Sequence, residues 1–230
     1  LVKQRKESAE IYISQNRSDL AELEINQSKI IESFLPEQVS EEELRIISGH
    51  FRGKAFLSPK NNNIRPTSGK SREMIFNTLN SIFIKRSIDY SDLITLDCCC
   101  GTGALGIESI SRGTEKIFFL DKSKEAISLA KKNFTNLPIK TNIKVQFLNI
   151  DIKEISEGHK EVGHFFIDPP YKKNIANLCL SILANSNWLK KGAIGIVEID
   201  ASQRIIEDKD FQILKRKKLG GSMFFFLEKV

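Results

Sequence analysis

The stretch that decides the fold is LITLDCCCGTGALGIESISRG, residues 93–113. Its first part is apolar and carries Asp97 near its end, a pattern that predicts a buried β-strand over 93–100. Its second part, GALGIESISRG, predicts a helix that ends at Gly113. Between them lies the glycine-rich turn Gly101–Gly106, where missing side chains let a ligand approach the backbone. The stretch therefore predicts the first strand, turn and helix of a ligand-binding α/β fold.

Strands and helices alternate from this stretch to the C-terminus. Apolar strands separated by amphipathic helices indicate βαβ units and a buried parallel sheet. The predicted strands are 93–100, 116–121, 142–149, 163–168 and 192–199, with predicted helices at 103–113, 123–134 and 174–189. The last two apolar segments, 211–220 and 222–229, meet at two glycines and predict an antiparallel hairpin. The fold class is therefore α/β, a Rossmann-like and mostly parallel sheet with a C-terminal antiparallel hairpin.

The charge of the chain divides it into two parts. The total is +6, from 35 basic and 29 acidic residues. Residues 1–44 hold five basic and ten acidic residues and have a helical composition, so they predict a short helical extension. Residues 45–230 are basic; 45–66 predict a β-hairpin arm, and 67–230 predict the catalytic core. A basic body favours a polyanionic partner such as nucleic acid, although a solvated lysine-rich surface has the same composition.

The cysteines and the apolar segments restrict where the protein works. Three of the four cysteines are adjacent, and adjacent side chains point apart, so we expect neither a disulfide framework nor a metal site. The first residues are charged and polar, unlike a signal peptide. The sequence has no run of about 18 apolar residues, the length that a membrane span needs. These features predict a cytoplasmic protein with reduced cysteines and no membrane span.

Polar side chains at the ends of three predicted strands surround the glycine-rich turn. Asp121 ends the second strand, where a carboxylate can accept both hydroxyls of a ribose. That feature fits a dinucleotide as well as S-adenosylmethionine, but Asp97 favours a ligand with an ammonium group and no pyrophosphate. The third strand ends at Asn149-Ile-Asp151, which is placed to hold an adenine amine, although Asp151 equally fits a helix N-cap. The candidate cofactor-binding residues are Asp97, Gly101, Thr102, Gly103, Asp121, Lys122, Asn149 and Asp151.

The segment HFFIDPPYKK, residues 164–173, places a second polar group at the end of the fourth predicted strand. Two prolines cannot continue a central strand, so this strand stops at Asp168, on the edge of the sheet where doubly wound folds bind ligands. The Asp168 carboxylate and the Pro169 carbonyl can accept both N–H groups of an exocyclic amine, while Tyr171 stacks on the base. A rigid turn without function is the structural alternative. The predicted catalytic residues are Asp168, Pro169, Pro170 and Tyr171.

Four segments, in this order and at this spacing, resemble S-adenosylmethionine-dependent methyltransferases that act on amino groups: LRIISGHFRGKAF, IRPTSGKSREMIFNTL, LDCCCGTGALGIESISRG and FIDPPY. They are similar to the RsmD family, which methylates the N2 amine of a guanine in 16S rRNA, and the resemblance covers about residues 44–230. It implies a class I methyltransferase sheet, S-adenosylmethionine as cofactor and the small ribosomal subunit as partner; nothing in the sequence requires more than a monomer. The residues that it implies for RNA binding are Arg45, Arg52, Lys54, Arg65, Thr67 and Arg72.

Residues 1–44 resemble the middle of a YqeY-type helical domain, which is related to the tail domain of the GatB amidotransferase subunit. The resemblance implies a helical appendage that does not take part in catalysis. A genuine fusion and a reading frame that crosses a gene boundary both fit this pattern.

Three other functions fit the sequence less well than rRNA methylation does. A DNA adenine-N6 methyltransferase would use the same DPPY chemistry, but the chain has no room for a sizeable target-recognition domain. An interaction module with an inactive catalytic domain does not explain an intact Asp168 and an intact glycine-rich turn. A dehydrogenase would leave DPPY unexplained.

Overall fold

The computed structural model describes residues 2–15, 17–34, 45–57, 59, 67–139, 143–158, 160–170, 175–205 and 209–230. The chain divides into two compact units, Leu1–Ser40 and Glu41–Val230. No helix in the described ranges has the length and apolar character that crossing a membrane requires.

The N-terminal unit is a pair of helices, α1 (Val2–Ser14) and α2 (Ser18–Phe34), as the composition predicts. Small side chains, Ala9 and Ala21, are buried where the two helices pack. An ion pair between Arg5 and Glu24, 2.8 Å long, joins them at one side.

The second unit is built on one seven-stranded sheet. The strands are β1 Ile94–Cys98, β2 Lys116–Asp121, β3 Lys144–Asn149, β4 Val162–Ile167, β5 Leu189–Asp200, β6 Phe211–Leu219 and β7 Ser222–Lys229. Their order in the sheet is β3-β2-β1-β4-β5-β7-β6. Strands β1 to β5 are parallel, whereas β7 is antiparallel to both β5 and β6. The mostly parallel sheet and the C-terminal hairpin are therefore confirmed.

Helices cover both faces of this sheet. Phe165 and Phe166 are neighbours on β4 and point to opposite faces, and both are fully buried. The helices of this unit are α3 Gly69–Arg86, α4 Ala104–Ser111, α5 Lys124–Thr135 and α6 Ile175–Asn185. Phe165 lies in one core cluster with Leu183 of α6, while Phe166 packs with Phe76 of α3 on the other face.

Several element boundaries differ from the sequence-based prediction. Strand β1 ends at Cys98, because Cys99 has a positive φ of 61° and turns the chain into the glycine-rich loop. Helix α6 ends at Asn185, and Asn187 takes a positive φ of 58°. Strand β5 then begins at Leu189, three residues before the predicted start.

Residues 45–57, the described part of the predicted arm, form a compact turn rather than two full strands. A single antiparallel bridge between Arg45 and Ala55 closes it. The turn is fitted closely against the end of α4. Gly49 has a φ of 85°, and a Cβ added to it would lie 1.8 Å from the Ser111 carbonyl oxygen. Only glycine therefore allows this approach.

Candidate active site

The sheet reverses its strand order between β1 and β4, which lie side by side with Cys98 opposite Ile167. Ligands of doubly wound sheets bind at such a switch point, outside the carboxyl ends of the strands. The glycine-rich loop follows β1, and Asp168 follows β4. The Asp168 N–H lies 3.5 Å from the Cys98 carbonyl oxygen, so the two predicted parts of the site meet at this edge.

The glycine-rich loop depends on backbone conformations and clearances that side chains would prevent. Gly101 and Gly103 have positive φ values of 52° and 77°. A Cβ on Gly103 would lie 3.0 Å from the Ala130 Cβ, and a Cβ on Gly106 would lie 2.4 Å from the Phe119 ring. The loop therefore packs closely against β2 and α5.

Asp97 is buried beneath this loop. Its Oδ2 accepts a hydrogen bond of 2.9 Å from the Gly106 N–H, so the carboxyl group fixes the first turn of α4. Burial raises the pKa of Asp97 to about 8; the hydrogen bond from Gly106 opposes this shift, and the negative charge of Asp121 adds to it. A buried carboxyl group in this state gains most from a cationic partner.

Asp121 ends β2 and closes the other side of the loop. Its Oδ2 accepts from the Gly101 N–H at 3.0 Å, and its Oδ1 accepts from the Ser123 N–H at 2.8 Å. Asn149 at the end of β3 donates to the backbone carbonyls of Asp121 and Lys122, at 3.1 and 2.9 Å. The Asn149 amide thus supports the end of β2, and the Lys122 side chain is exposed.

The two remaining candidates for cofactor binding also have structural roles. Asp151 caps a 3₁₀ turn over Ile152–Glu154, where its Oδ1 accepts from the Lys153 N–H at 3.1 Å. This contact is the N-cap that was the alternative for Asp151. Thr102 is buried, and its carbonyl accepts from the Asn133 side chain at 2.9 Å.

Asp168 is half-buried and is held by a residue far away in the sequence. The Thr67 hydroxyl donates to Asp168 Oδ2 at 2.6 Å. Pro169 is buried and Pro170 is exposed. Tyr171, the fourth predicted catalytic residue, lies outside the described residues. Thr67, which was predicted to contact RNA, therefore also contacts the proposed catalytic carboxylate.

Arg72 corrects one of the predictions for RNA binding. Its side chain is fully buried, with its guanidinium 5.0 Å from the centroid of the Phe56 ring. Burial lowers the pKa of Arg72, and Glu108 opposes this shift. A guanidinium in this position cannot reach an RNA phosphate, so the prediction that Arg72 lines an open mouth is wrong. The sequence favoured an exposed Arg72 because arginines are usually exposed unless a buried acidic partner pairs with them.

The other predicted RNA-binding residues fall into two groups. Arg45, Arg52 and Lys54 have exposed side chains on the described part of the arm. Arg65 lies outside the described residues, and its role stays a prediction.

Sequence reasoning did not find Glu108, the buried partner of Arg72. The Glu108 carboxylate accepts hydrogen bonds of 3.0 Å from the backbone N–H groups of Ile47 and Ser48 in the arm. It also forms ion pairs with Arg72 at 3.4 Å and with Arg112 at 2.9 Å. A signal for this role was present, because the charged residue stands inside the apolar helical segment ALGIESIS.

A continuous set of hydrogen bonds connects the arm to Asp168. Arg72 donates through Nη1 to the Arg45 carbonyl at 2.9 Å and through Nε to the Thr67 carbonyl at 3.3 Å. The Thr67 hydroxyl completes the connection to the carboxylate. We call Glu108, Arg72 and Thr67 the buried relay. It makes the position of Asp168 depend on how the arm is docked.

Comparison with known proteins finds two families along the chain. A family model described as conserved hypothetical protein 95 matches residues 44–228. A second, described as Yqey-like protein, matches residues 1–51. The two matches meet where the charge of the sequence changes sign.

The larger part is similar to proteins that have been named as methyltransferases. It is 31% identical over 181 residues to the ribosomal RNA small subunit methyltransferase D of Haemophilus influenzae. The aligned residues cover 77% of this chain and 90% of that protein. It is 32% identical to the protein of that name from Buchnera aphidicola, with 76% of this chain and 86% of that protein covered.

Solved structures of similar proteins share the fold. The putative methyltransferase yhhF of Escherichia coli has a TM-score of 0.68 at 21% identity, covering 81% of this chain and 97% of that one. The putative methylase HI0767 of Haemophilus influenzae has a TM-score of 0.65 at 25% identity, covering 82% and 99%. The fold is therefore that of the class I methyltransferases. Because the first family model matches residues 44–228, most of the chain, this protein belongs to the conserved hypothetical protein 95 family, the RsmD family of methyltransferases.

Proposed function

We propose that this protein transfers a methyl group from S-adenosylmethionine to the exocyclic N2 amine of a guanine in 16S rRNA of the small ribosomal subunit. The observation that carries the proposal is the position of Asp168 and Pro169 at the switch point, beside the glycine-rich loop. The names of the relatives from Haemophilus influenzae and Buchnera aphidicola support an rRNA substrate.

The loop and its neighbouring carboxylates fit S-adenosylmethionine. Gly101 and Gly103 have positive φ values of 52° and 77°, which glycine adopts readily, so the backbone of this turn can approach a ligand. Asp97 suits the ammonium group of the methionine moiety, because a cation beside this buried carboxyl group would stabilise its charged form. We place the ribose hydroxyls at Asp121 and the adenine near Asp151. When bound, the cofactor supplies an electrophilic methyl group on a sulfonium.

The residues after β4 are suited to hold an exocyclic amine. Such an amine is a poor nucleophile, because its lone pair is delocalised into the ring. Two acceptors, the Asp168 carboxylate and the Pro169 carbonyl, would accept its two N–H groups and direct the lone pair out of the ring plane. The methylated nitrogen then loses one proton to solvent, so Asp168 need not be a strong base. Tyr171 is the residue proposed to stack on the guanine after it leaves its own stack.

The buried relay would position Asp168 for this reaction. The Thr67 hydroxyl fixes one carboxylate oxygen at 2.6 Å, which leaves the orientation of the carboxylate defined before substrate binds. Arg72 holds the backbone of Thr67, and Glu108 holds Arg72. Glu108 and Arg72 would act only as positioning residues, whereas Thr67 would position Asp168 in addition to its predicted contact with RNA.

Exposed cations on the arm would bind the RNA backbone. Arg45, Arg52 and Lys54 lie on the part of the arm that Glu108 docks to the core. Contacts of this type are strongly weakened by salt. RNA bound to these side chains would therefore lie next to the hydrogen bonds between the arm and Glu108, the first residue of the buried relay.

The test uses methyl-labelled S-adenosylmethionine with three acceptors: small ribosomal subunits that lack the modification, naked 16S rRNA and duplex DNA. We expect labelled N2-methylguanosine from subunit RNA after nucleoside digestion and mass analysis. Replacing Asp168 with alanine should reduce transfer by at least about 100-fold, as loss of a charge-directed contact in a transition state does. Cofactor affinity should stay within about threefold, because Asp168 does not lie in the glycine-rich loop.

The matched control is Asp92→Ala, which removes an exposed aspartate at the amino end of β1. This variant should methylate as the wild type does. Label in N6-methyladenine of DNA would replace the proposal with the DNA methyltransferase function. Unchanged transfer in Asp168→Ala would refute the catalytic assignment.

A further inference from the structure

Three cysteine sulfurs meet beneath the glycine-rich loop. Cys98 ends β1, Cys99 follows it, and Cys179 lies on α6; their Sγ atoms all lie within 4.8 Å of one another. Cys98 and Cys179 are fully buried, whereas Cys99 is half-buried and gives access from the surface. All three are free thiols.

The three sulfurs can lie close together because β1, with its alternating side-chain directions, ends at Cys98. Side chains of successive strand residues point to opposite faces, which is why adjacent cysteines were expected to make a poor chelate. The positive φ of 61° at Cys99 ends that alternation and allows its sulfur to join the sulfur of Cys98. Cys179 then completes the group from the facing helix.

The spacing suits a soft metal ion. With metal–sulfur bonds of about 2.3 Å, three sulfurs in a trigonal plane lie about 4.0 Å apart, so only a small contraction is required. Within the described part of the chain, no fourth His, Cys, Asp or Glu ligand atom joins the group. Structural zinc takes four ligands, and hard ions take oxygen ligands and water. A site of three thiols therefore favours Cu(I), which soft sulfur ligands select and which accepts low coordination numbers.

We propose that Cys98, Cys99 and Cys179 form a three-sulfur binding site for a soft ion of the Cu(I) type. Each sulfur that coordinates exchanges its S–H bond for a Cu–S bond and releases its proton to solvent, and copper stays in the +1 state. The bound ion would tie α6 to the turn that leads into Gly101. It would also fix the Cys98 backbone, whose carbonyl lies 3.5 Å from the Asp168 N–H.

The test is a titration of the reduced protein with Cu(I) under anaerobic conditions, in competition with a colorimetric Cu(I) chelator. A thiol count in denaturant comes first and should give four free thiols, matching the four cysteines of the chain. We expect one Cu(I) per chain to be withheld from the chelator. Cys99→Ser and Cys179→Ala should each weaken binding by at least about 100-fold, the upper end of what loss of even an outer-shell partner costs a metal site.

The matched control is Cys100→Ser, because Cys100 is buried beside the site but its sulfur is not one of the three. Its affinity should stay within about threefold of the wild type. Added Cu(I) should also raise the melting temperature of the wild type and of Cys100→Ser, by mass action, but not that of Cys99→Ser. Cys99 is only half-buried, so this variant tests the site even if Cys179→Ala fails to fold.

Three results would overturn the proposal. Binding that survives in both ligand variants would be adventitious, and an equal loss in Cys100→Ser would be non-specific. A count below four thiols would mean that two of the sulfurs form a disulfide instead. None of these readouts uses methyl transfer, so the outcome is independent of the proposed function.

Discussion

The glycine-rich loop and the residues after β4 that we propose as catalytic, Asp168 and Pro169 (the catalytic edge), lie at the same end of the sheet, but different kinds of contact hold them. In the loop, Asp97 reaches Gly106 nine residues away, and Asp121 reaches Gly101 twenty residues away. At the catalytic edge, Thr67 and Asp168 are separated by 101 residues. The loop is therefore a local motif, whereas the catalytic edge exists only after distant parts of the chain have docked.

This difference predicts different weaknesses in the two halves. The loop has little free space, so added atoms should disturb it most. The catalytic edge depends on buried polar groups, so removal of one partner should disturb it most, because the remaining groups stay buried without compensation.

The largest effect is expected from Glu108→Ala, which removes the anion that faces two buried arginines. Loss of one partner of a buried ion pair typically costs about 3–5 kcal/mol, and two arm N–H groups also lose their acceptor. Urea unfolding should show a decrease of this size in the free energy of unfolding. Glu73→Ala, at an exposed site on α3, should change it by less than about 0.5 kcal/mol. Similar values for the two variants would mean that the ion pairs and hydrogen bonds of Glu108 do not stabilise the fold.

The next effect separates positioning from folding. Thr67→Val keeps the shape of the side chain but removes the hydroxyl that donates to Asp168 Oδ2. A hydrogen bond to a charged group is worth about 1.5–3 kcal/mol, so we expect kcat for methyl transfer to fall about 10–100-fold. Single-turnover methylation measures this change, and calorimetry should give an unchanged cofactor affinity. Thr67→Ser should restore the rate; a serine variant as slow as the valine variant would contradict the assignment.

The loop is tested by adding a single methyl group. In Gly106→Ala the new Cβ would lie 2.4 Å from the Phe119 ring, so α4 or that ring must shift. Overpacking of this kind costs about 1–3 kcal/mol, and cofactor affinity should fall because a shift of α4 moves the loop with it. Gly221→Ala is the matched control, since nothing lies within 4 Å of its added Cβ. Thermal unfolding and cofactor titration of both variants measure the contrast.

The smallest effect, taken per pH unit, concerns the pH dependence of stability. The pKa of Asp97 is about 8 in the folded protein without ligand, against an ordinary pKa of 3.8 for an aspartate in water. The folded state keeps this proton to higher pH, so the free energy of unfolding should fall as pH rises between these values, by at most about 1.4 kcal/mol for each pH unit. Asp97→Asn should remove this slope, measured by urea unfolding from about pH 5 to pH 8. Asp92→Asn, at an exposed site, should retain the slope of the wild type, and a slope shared by all three proteins would exclude Asp97 as its source.

The same contrast explains how far the sequence could be interpreted. Apolar strands between amphipathic helices predicted the sheet, and the motif from Asp97 to Gly106 predicted the loop, because local patterns carry that information. DPPY predicted where β4 would stop, since proline cannot continue a central strand. These features need no knowledge of which distant residues meet.

The buried relay could not be predicted in the same way. Arg72 was expected at the surface, because a sequence does not show that Glu108 lies opposite it after folding. Asn149 was predicted to contact the ligand, and the sequence did not show that its amide also supports two backbone carbonyls at the end of β2. Hydrogen bonds between residues 60 to 100 positions apart follow from the docking of whole elements, not from any pattern of neighbours.

The place of β7 in the sheet has a consequence for the order in which the sheet can form. β7 follows β5 and β6 in the sequence, yet it lies between them. Until β7 docks, β6 has no neighbouring strand in the sheet, and one edge of β5 stays unpaired. Basic side chains on an edge strand discourage pairing with another chain, and the basic run Lys215–Lys218 of β6 is exposed. β5 and β6 therefore join the same sheet only once β7 bridges them.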